Sequence, residues 1–189
     1  MLFVSFVFNV PPTEPSMSDL SLHRGKFLEL RQRDNWEYVH RVRGQTPVGI
    51  IALTPDNHLL LISQFRIPLQ QTIIEIPAGL VGDTPGEESE PWQLAAQREL
   101  LEETGYWPAH VELLAEGPTS AGLTDECIKL VHATQLQKRG NPTPDGDEHI
   151  TLHEIPLPQV DAWLAQKSRA GHLIDPKVYS ALYFLTRHT

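Results

Sequence analysis

Residues 98–106 read Arg-Glu-Leu-Leu-Glu-Glu-Thr-Gly-Tyr, and this segment constrains the chain more than any other. Positions i, i+3 and i+4 are neighbours on a helix, so Glu99, Glu102 and Glu103 fall on one side of it. Like charges that close destabilise an isolated helix by roughly 0.2–0.5 kcal/mol per pair. A divalent cation would reverse that cost, because Mg²⁺ is held by one or two carboxylates together with substrate phosphate. Taken alone, a Glu-rich segment is more often a solvated face. The neighbours change the balance. Leu100 and Leu101 lie within the cluster and Gly105 ends it. Upstream, EIPAGLVGD (75–83) is a short strand-like run broken by Pro77 and Gly79. Strand, glycine loop and acidic helix suit a cation held against a phosphate.

Periodicity sets the surrounding elements. Residues 36–43 alternate like a strand, and 48–53 and 58–65 are apolar runs separated by the turn signal TPDN, which predicts a hairpin. Residues 73–76, 111–117, 127–134 and 149–156 read as further strands. A helix is predicted over 91–104, with Pro91 near its first turn and Gly105 as its C-cap. Its packed stripe is read as Leu94, Ala95, Leu101 and the stem of Arg98. Two more helices follow, at about 158–168 and 176–187, the last with Val178, Leu182 and Leu185 on one face. Strands mixed with a few helices predict α/β (α+β) layering.

Composition excludes some functions. With 189 residues the chain suits one domain with a sizeable core. Its net charge of −9 is a poor match for nucleic acid, whose binding rests on Lys and Arg neutralising phosphates. An acidic enzyme of a small phosphate ester is still reasonable, since bound metal supplies positive charge. One cysteine, Cys127, excludes an intrachain disulfide framework, suits a reducing, cytoplasmic setting and reads as a core thiol. The apolar start MLFVSFVFNV lacks a basic leader region and is too short to span a bilayer, so no membrane partner is expected. Residues 1–19 read as an extension or a misplaced start, with Met17 the natural one. An edge strand, a loose arm and export are the alternatives.

The motif resembles that of the Nudix hydrolase family, G-x5-E-x7-R-E-U-x-E-E-x-G-U, where U is bulky and apolar. Arg98, Glu99, Leu100, Glu102, Glu103, Gly105 and Tyr106 match its second half throughout. The first half departs. From Gly82 the step of five lands on Glu88, but nine residues then precede Arg98. From Gly79 the step to Glu87 is seven, so Glu87, Glu88 and Glu90 stay open as the early glutamate. Four flanking runs resemble, in order, those of the ADP-ribose and nucleotide-sugar pyrophosphatase branch: SQFRIP (63–68), EIPAGL (75–80), SAGLTDE (120–126) and PDGDEHI (144–150). Ala121 stands where that branch usually has proline, which leaves room for other nucleotide sugars.

The resemblance implies a Nudix fold, a mixed β-sheet sandwiched between helices, in a single domain over 20–189. Residues 20–44 would be a strand segment that dimerises. It implies hydrolysis of the diphosphate of a nucleoside diphosphate sugar, with Mg²⁺ or alternatively Mn²⁺. Glu99 and Glu103 would be metal ligands, Glu102 sharing or supporting, and the Ala78 carbonyl a further ligand. Arg98 would fix the helix by pairing with a carboxylate. Arg66 would clamp a diphosphate oxygen, since guanidinium suits bidentate phosphate contacts. Glu75 would hold ribose or Arg66, and Gly79 would let the backbone approach a ligand or turn sharply. Glu148 is the first choice of general base, with Asp147 and Asp145 as alternatives. Glu126 would bind substrate or metal. Trp36 and Tyr38 would sandwich the base, and a homodimer is implied. His149, His153 and His172 read as surface or packing residues. Other Nudix substrates (dinucleoside polyphosphate, coenzyme A, nucleoside triphosphate or capped RNA) and a non-catalytic nucleotide sensor are the competing readings.

Overall fold

The computed structural model describes residues 19–43, 46–82, 86, 89–143 and 149–187. Residues 1–18, and with them Met17, lie outside it, so the reading of the N-terminal extension does too. In chain order the elements are β1 (Leu20–Arg24), β2 (Leu28–Arg33), β3 (Trp36–Arg41), β4 (Thr46–Ala52), β5 (His58–Arg66), β6 (Gln71–Glu75) and β7 (Ala78–Val81). Then come α1 (Trp92–Thr104), β8 (Tyr106–Pro118), β9 (Cys127–Lys138), β10 (Ile150–Pro156), α2 (Val160–Arg169), β11 (Leu173–Ile174) and α3 (Pro176–Arg187).

Three sheets form. β1-β2-β3 is an antiparallel meander, and the other two are mixed, in the orders β10-β5-β6-β11 and β7-β4-β9-β8. The parallel pairs are β4 with β9 and β6 with β11. Strand alternation then builds two cores. Val48, Ile50 and Ala52 of β4 point toward Ala96 and Leu100 of α1, while Ile51 points toward Val160, Leu164, Val178 and Leu185 of α2 and α3. β5 divides the same way, with Leu60 in the first core and Leu59 and Leu61 in the second. Strands buried on both faces, with helices outside, give the expected α/β/α layering.

Four local expectations need correction. The TPDN turn is present, with Asn57 at φ 60°, but only a Leu53–Leu59 bridge follows it. β4 and β5 then separate into different sheets because each already has two partners, β7 and β9 for one and β6 and β10 for the other. The packed side of α1 is Ala95, Ala96, Leu100 and Thr104, while Leu94 is 43% exposed. Small alanines let the helix lie close to the sheet, which hydrophobicity alone does not signal. Cys127 opens β9 and is exposed, not a core thiol. The strand read at 111–117 extends over Tyr106–Pro118. Gly105 caps α1 as expected, in the left-handed region at φ 77°, its N–H donating to Leu101 O at 2.8 Å. Among the described residues no helix is long and apolar enough to cross a membrane.

Candidate active site

β7 and α1 face each other through a missing side chain. A Cβ built on Gly79 would lie 1.9 Å from Glu99 Cδ and 2.1 Å from its Oε1. The group that approaches this glycine is therefore the Glu99 carboxylate. One turn later, Glu103 accepts a hydrogen bond from the Ala78 N–H at 3.0 Å and is buried. The i, i+4 spacing thus sets two carboxylates against consecutive residues of one short strand.

Arg98 ties the cluster together. Its Nη1 lies 2.9 Å from Glu99 Oε1 and 3.1 Å from Glu102 Oε2, and its Nη2 donates to Leu80 O at 3.4 Å. Its Nε pairs with Glu90 at 3.4 Å. Partial burial works against the charge of Arg98. The hydrogen bonds Arg98 donates to Glu90 and the charges of Glu99, Glu90 and Glu102 outweigh that effect and hold its pKa above the ordinary arginine value. Of the three candidate early glutamates, Glu90 is the one described, and it serves Arg98. Glu87 and Glu88 lie outside the described residues.

Among the described residues no three His, Cys, Asp or Glu side chains converge as a metal-binding group. The donors that fit a divalent cation are two carboxylates, Glu99 and Glu103, with the backbone of Ala78 beside them. These are hard oxygen donors of the kind Mg²⁺ prefers. The cradle at Gly79 supports the fit, because any larger residue there would displace Glu99. Glu102 is turned onto Arg98, and so joins the pairing that orders the helix.

A second group sits on the β5–β6 hairpin. Arg66 Nε and Nη2 each lie 2.9 Å from Glu75 Oε2. Of the two roles open for Glu75, it takes the holding of Arg66. Burial pushes the Glu75 carboxyl above its usual range, against the charge and hydrogen bonds of Arg66. The Arg66 side chain remains 43% accessible.

A third group joins β3 to the 120–126 loop. Trp36 Nε1–H donates to Gly122 O at 3.3 Å, and Val39 N–H donates to Leu123 O at 2.8 Å. His40 Nδ1 lies 2.8 Å from Asp125 Oδ2, and Arg41 Nε donates to Glu126 Oε2 at 2.7 Å. Beside them is a cleft of about 250 Å³ lined by His40, Arg41, Thr46, Asp125, Glu126 and Cys127. Trp36 is 62% exposed and open to stacking, but Tyr38 is only 8% exposed, its hydroxyl accepting from Arg33 Nη2 at 3.3 Å. The expected pair of stacking aromatics thus reduces to Trp36 within this chain. Sequence reasoning missed His40 and Arg41. Their signal is charge complementarity, a His-Arg doublet opposite the Asp-Glu doublet at 125–126.

Glu148, Asp147 and Asp145 lie outside the described residues. The described residues on either side of them are anchored. Thr143 N–H donates to Glu102 O at 2.7 Å, and Ile150 pairs with Gln64 on β5. Of His149, His153 and His172, His153 has a packing role: its Nε2 lies 2.9 Å from Ser63 Oγ and its ring lies against Trp163.

A family profile described as NUDIX domain matches residues 44–175. The chain is 36% identical over 145 residues to the methanol dehydrogenase activator of Bacillus methanolicus, covering 76% of this chain and 74% of that protein. It is 34% identical over 142 residues to the ADP-ribose pyrophosphatase of Bacillus subtilis (strain 168), covering 73% and 70%. Among solved structures, an ADP compounds hydrolase superposes with a TM-score of 0.64 at 19% identity, over 93% of this chain and 96% of the other. That likeness speaks for the fold.

Proposed function

The chain belongs to the Nudix hydrolase family, and from that premise we propose that it cleaves the diphosphate bond of ADP-ribose or a related nucleoside diphosphate sugar. The products are a nucleoside monophosphate and a sugar phosphate. The observation that carries this reading is the seating of Glu99 over Gly79, with Glu103 on the neighbouring Ala78 N–H. That arrangement sets two carboxylates against consecutive residues of β7. Glu75, which holds Arg66, lies three residues upstream of Ala78 in the same run. The identity to an ADP-ribose pyrophosphatase supports the substrate class.

Nudix hydrolases use divalent metal; here Mg²⁺, with Mn²⁺ as the alternative, would be held by Glu99, Glu103 and the Ala78 carbonyl with Glu102 in support. Bound there, the metal would neutralise diphosphate charge and acidify the attacking water. The chain's own residues do the rest. Arg98 keeps the α1 carboxylates from repelling one another. Arg66, oriented by Glu75, turns its accessible edge to a diphosphate oxygen. Trp36 offers a face for the base, worth roughly 1–3 kcal/mol in comparable stacking. Glu126, ordered by Arg41 and by Thr119 Oγ1 at 3.1 Å, contacts the substrate. Glu148 accepts the proton of the attacking water. What supports that role is the placement of the described neighbours: Thr143 is hydrogen-bonded to Glu102 of α1, and Ile150 is paired with Gln64 on the Arg66 strand. Glu148→Gln is expected to lower kcat by roughly a hundredfold or more, with KM little changed. Asp147→Asn and Asp145→Asn should leave kcat within a few-fold. If Asp147→Asn abolishes the rate and Glu148→Gln does not, the base moves by one residue.

The single domain over 20–189 is read as working in the cytoplasm as a homodimer. Exposed Leu20, Leu28 and Leu30 share one face of the meander, which supports a second copy there. Sedimentation velocity separates the two states. The function itself is tested by comparing kcat/KM for ADP-ribose, ADP-glucose, UDP- and GDP-sugars, diadenosine polyphosphates and ATP with Mg²⁺ and with Mn²⁺. AMP and ribose phosphate formed faster than any other products support the ADP-ribose reading. A flat profile across diphosphosugars points to Ala121 and a broader enzyme, and no turnover points to a sensor. A second reading rests on the likeness to a methanol dehydrogenase activator: that this chain stimulates a methanol dehydrogenase. Adding it to such an enzyme, with and without Glu99→Gln, tests that directly.

A further inference from the structure

β6 and β11 run parallel, with Ile74 opposite Ile174. The next residue of each strand is an acid, Glu75 and Asp175. The Asp175 N–H donates to Ile74 O at 2.9 Å, so the two acids leave the strand ends side by side. Both carboxylates are largely covered, their side chains 10% and 15% accessible. Each has a cation on its outer side. Glu75 holds Arg66, and Asp175 pairs with Lys177 Nζ. Asp175 also starts α3, its Oδ1 accepting from Lys177 N–H at 2.7 Å.

The arrangement is a short row of charges, two acids flanked by two cations: Arg66, Glu75, Asp175, Lys177. We propose that Lys177 is a positioning residue: by neutralising Asp175 it keeps the Glu75 carboxylate available to grip Arg66, which faces the substrate. This rests on the reading that Arg66 contacts the diphosphate. Among the described residues, the charged groups facing Glu75 are Arg66 from β5, and Asp175 and Lys177 from the corner between β11 and α3. Burial raises Glu75 most, Asp175 adds to that rise, and Arg66 and Lys177 oppose it. Loss of Lys177 leaves a bare negative charge beside Glu75. The neutral acid is then favoured, and a neutral Glu75 no longer holds a guanidinium by charge. Loss of the Asp175 charge acts the opposite way.

The opposed signs give the test. The full chain is assayed with ADP-ribose and Mg²⁺ across pH, as Lys177→Gln, Lys177→Arg, Asp175→Asn and Arg66→Gln. The Glu75 carboxyl is titrated by carbon-13 NMR without substrate. Lys177→Gln should raise KM on the acid side of the profile with kcat within about twofold, and move the acid limb of kcat/KM to higher pH. Asp175→Asn keeps an oxygen to cap α3 and should move that limb to lower pH. Lys177→Arg should restore the original profile. The Glu75 midpoint should rise in Lys177→Gln and fall in Asp175→Asn. A purely structural helix cap would change melting temperature and move neither limb. Shifts of the same sign in the two variants, or an unchanged KM and limb in Lys177→Gln, overturn the proposal. Arg66→Gln keeps the two readings apart. An unchanged KM there removes Arg66 from the substrate site and takes this proposal with it. A raised KM in Arg66→Gln but not in Lys177→Gln overturns this proposal alone.

Discussion

Replacing Gly79 with alanine is expected to lower kcat/KM by roughly a hundredfold or more, about 3 kcal/mol of transition-state stabilisation, while the protein stays folded. The new methyl carbon would stand 1.9 Å from Glu99 Cδ, a distance no real pair of carbons tolerates. The three heavy atoms nearest to it all belong to the Glu99 side chain. That side chain is flexible and can swing aside without moving the strand. The structural cost is therefore small, and stability should change by no more than about 1 kcal/mol. The functional cost is large because the displaced group is the carboxylate proposed to hold the metal. Melting temperature and kcat/KM measured on the same preparation separate the two. Near-normal turnover in Gly79→Ala would show that Glu99 need not sit where the structure puts it.

The second large effect is expected for Glu103→Gln. Glutamine keeps an oxygen for the Ala78 N–H, so the contact between α1 and β7 survives. Only the charge is lost. Turnover should fall by roughly a hundredfold, since charge and not hydrogen bonding is what a divalent cation requires. A ligand that binds the folded state raises the melting temperature. Added Mg²⁺ or Mn²⁺ should therefore stabilise the parent protein and have much less effect on Glu103→Gln. A variant with less than a tenfold loss of turnover and an unaltered response to metal would remove Glu103 from the metal site.

Local signals were legible where the physics is local. The cap at Gly105 and the span of α3 follow from backbone preferences and from apolar spacing within one helix. The clustering of Glu99, Glu102 and Glu103 follows from helix geometry alone. The phase of α1 did not follow, because both of its sides are partly covered. Alanines face the sheet, and the carboxylate side is turned to β7, with Glu103 only 5% exposed. Apolar content therefore did not mark the buried side. The hairpin between β4 and β5 misled for a related reason. Both runs are apolar through their middles (50–53 and 59–62), and periodicity does not say which neighbour a doubly buried strand will choose.

The sequence by itself determined the family, the acidic helix and its cap, and the residue types from which a metal and phosphate site can be built. Tertiary structure alone decided that Glu99 lies over Gly79, that Glu75 takes Arg66, that Tyr38 is packed away while Trp36 is open, and that Asp175 stands beside Glu75. Each of these is a contact between segments brought together by strand pairing and helix packing. Such contacts depend on which edges and faces remain after the rest of the core has formed, and no local pattern of residues carries that information.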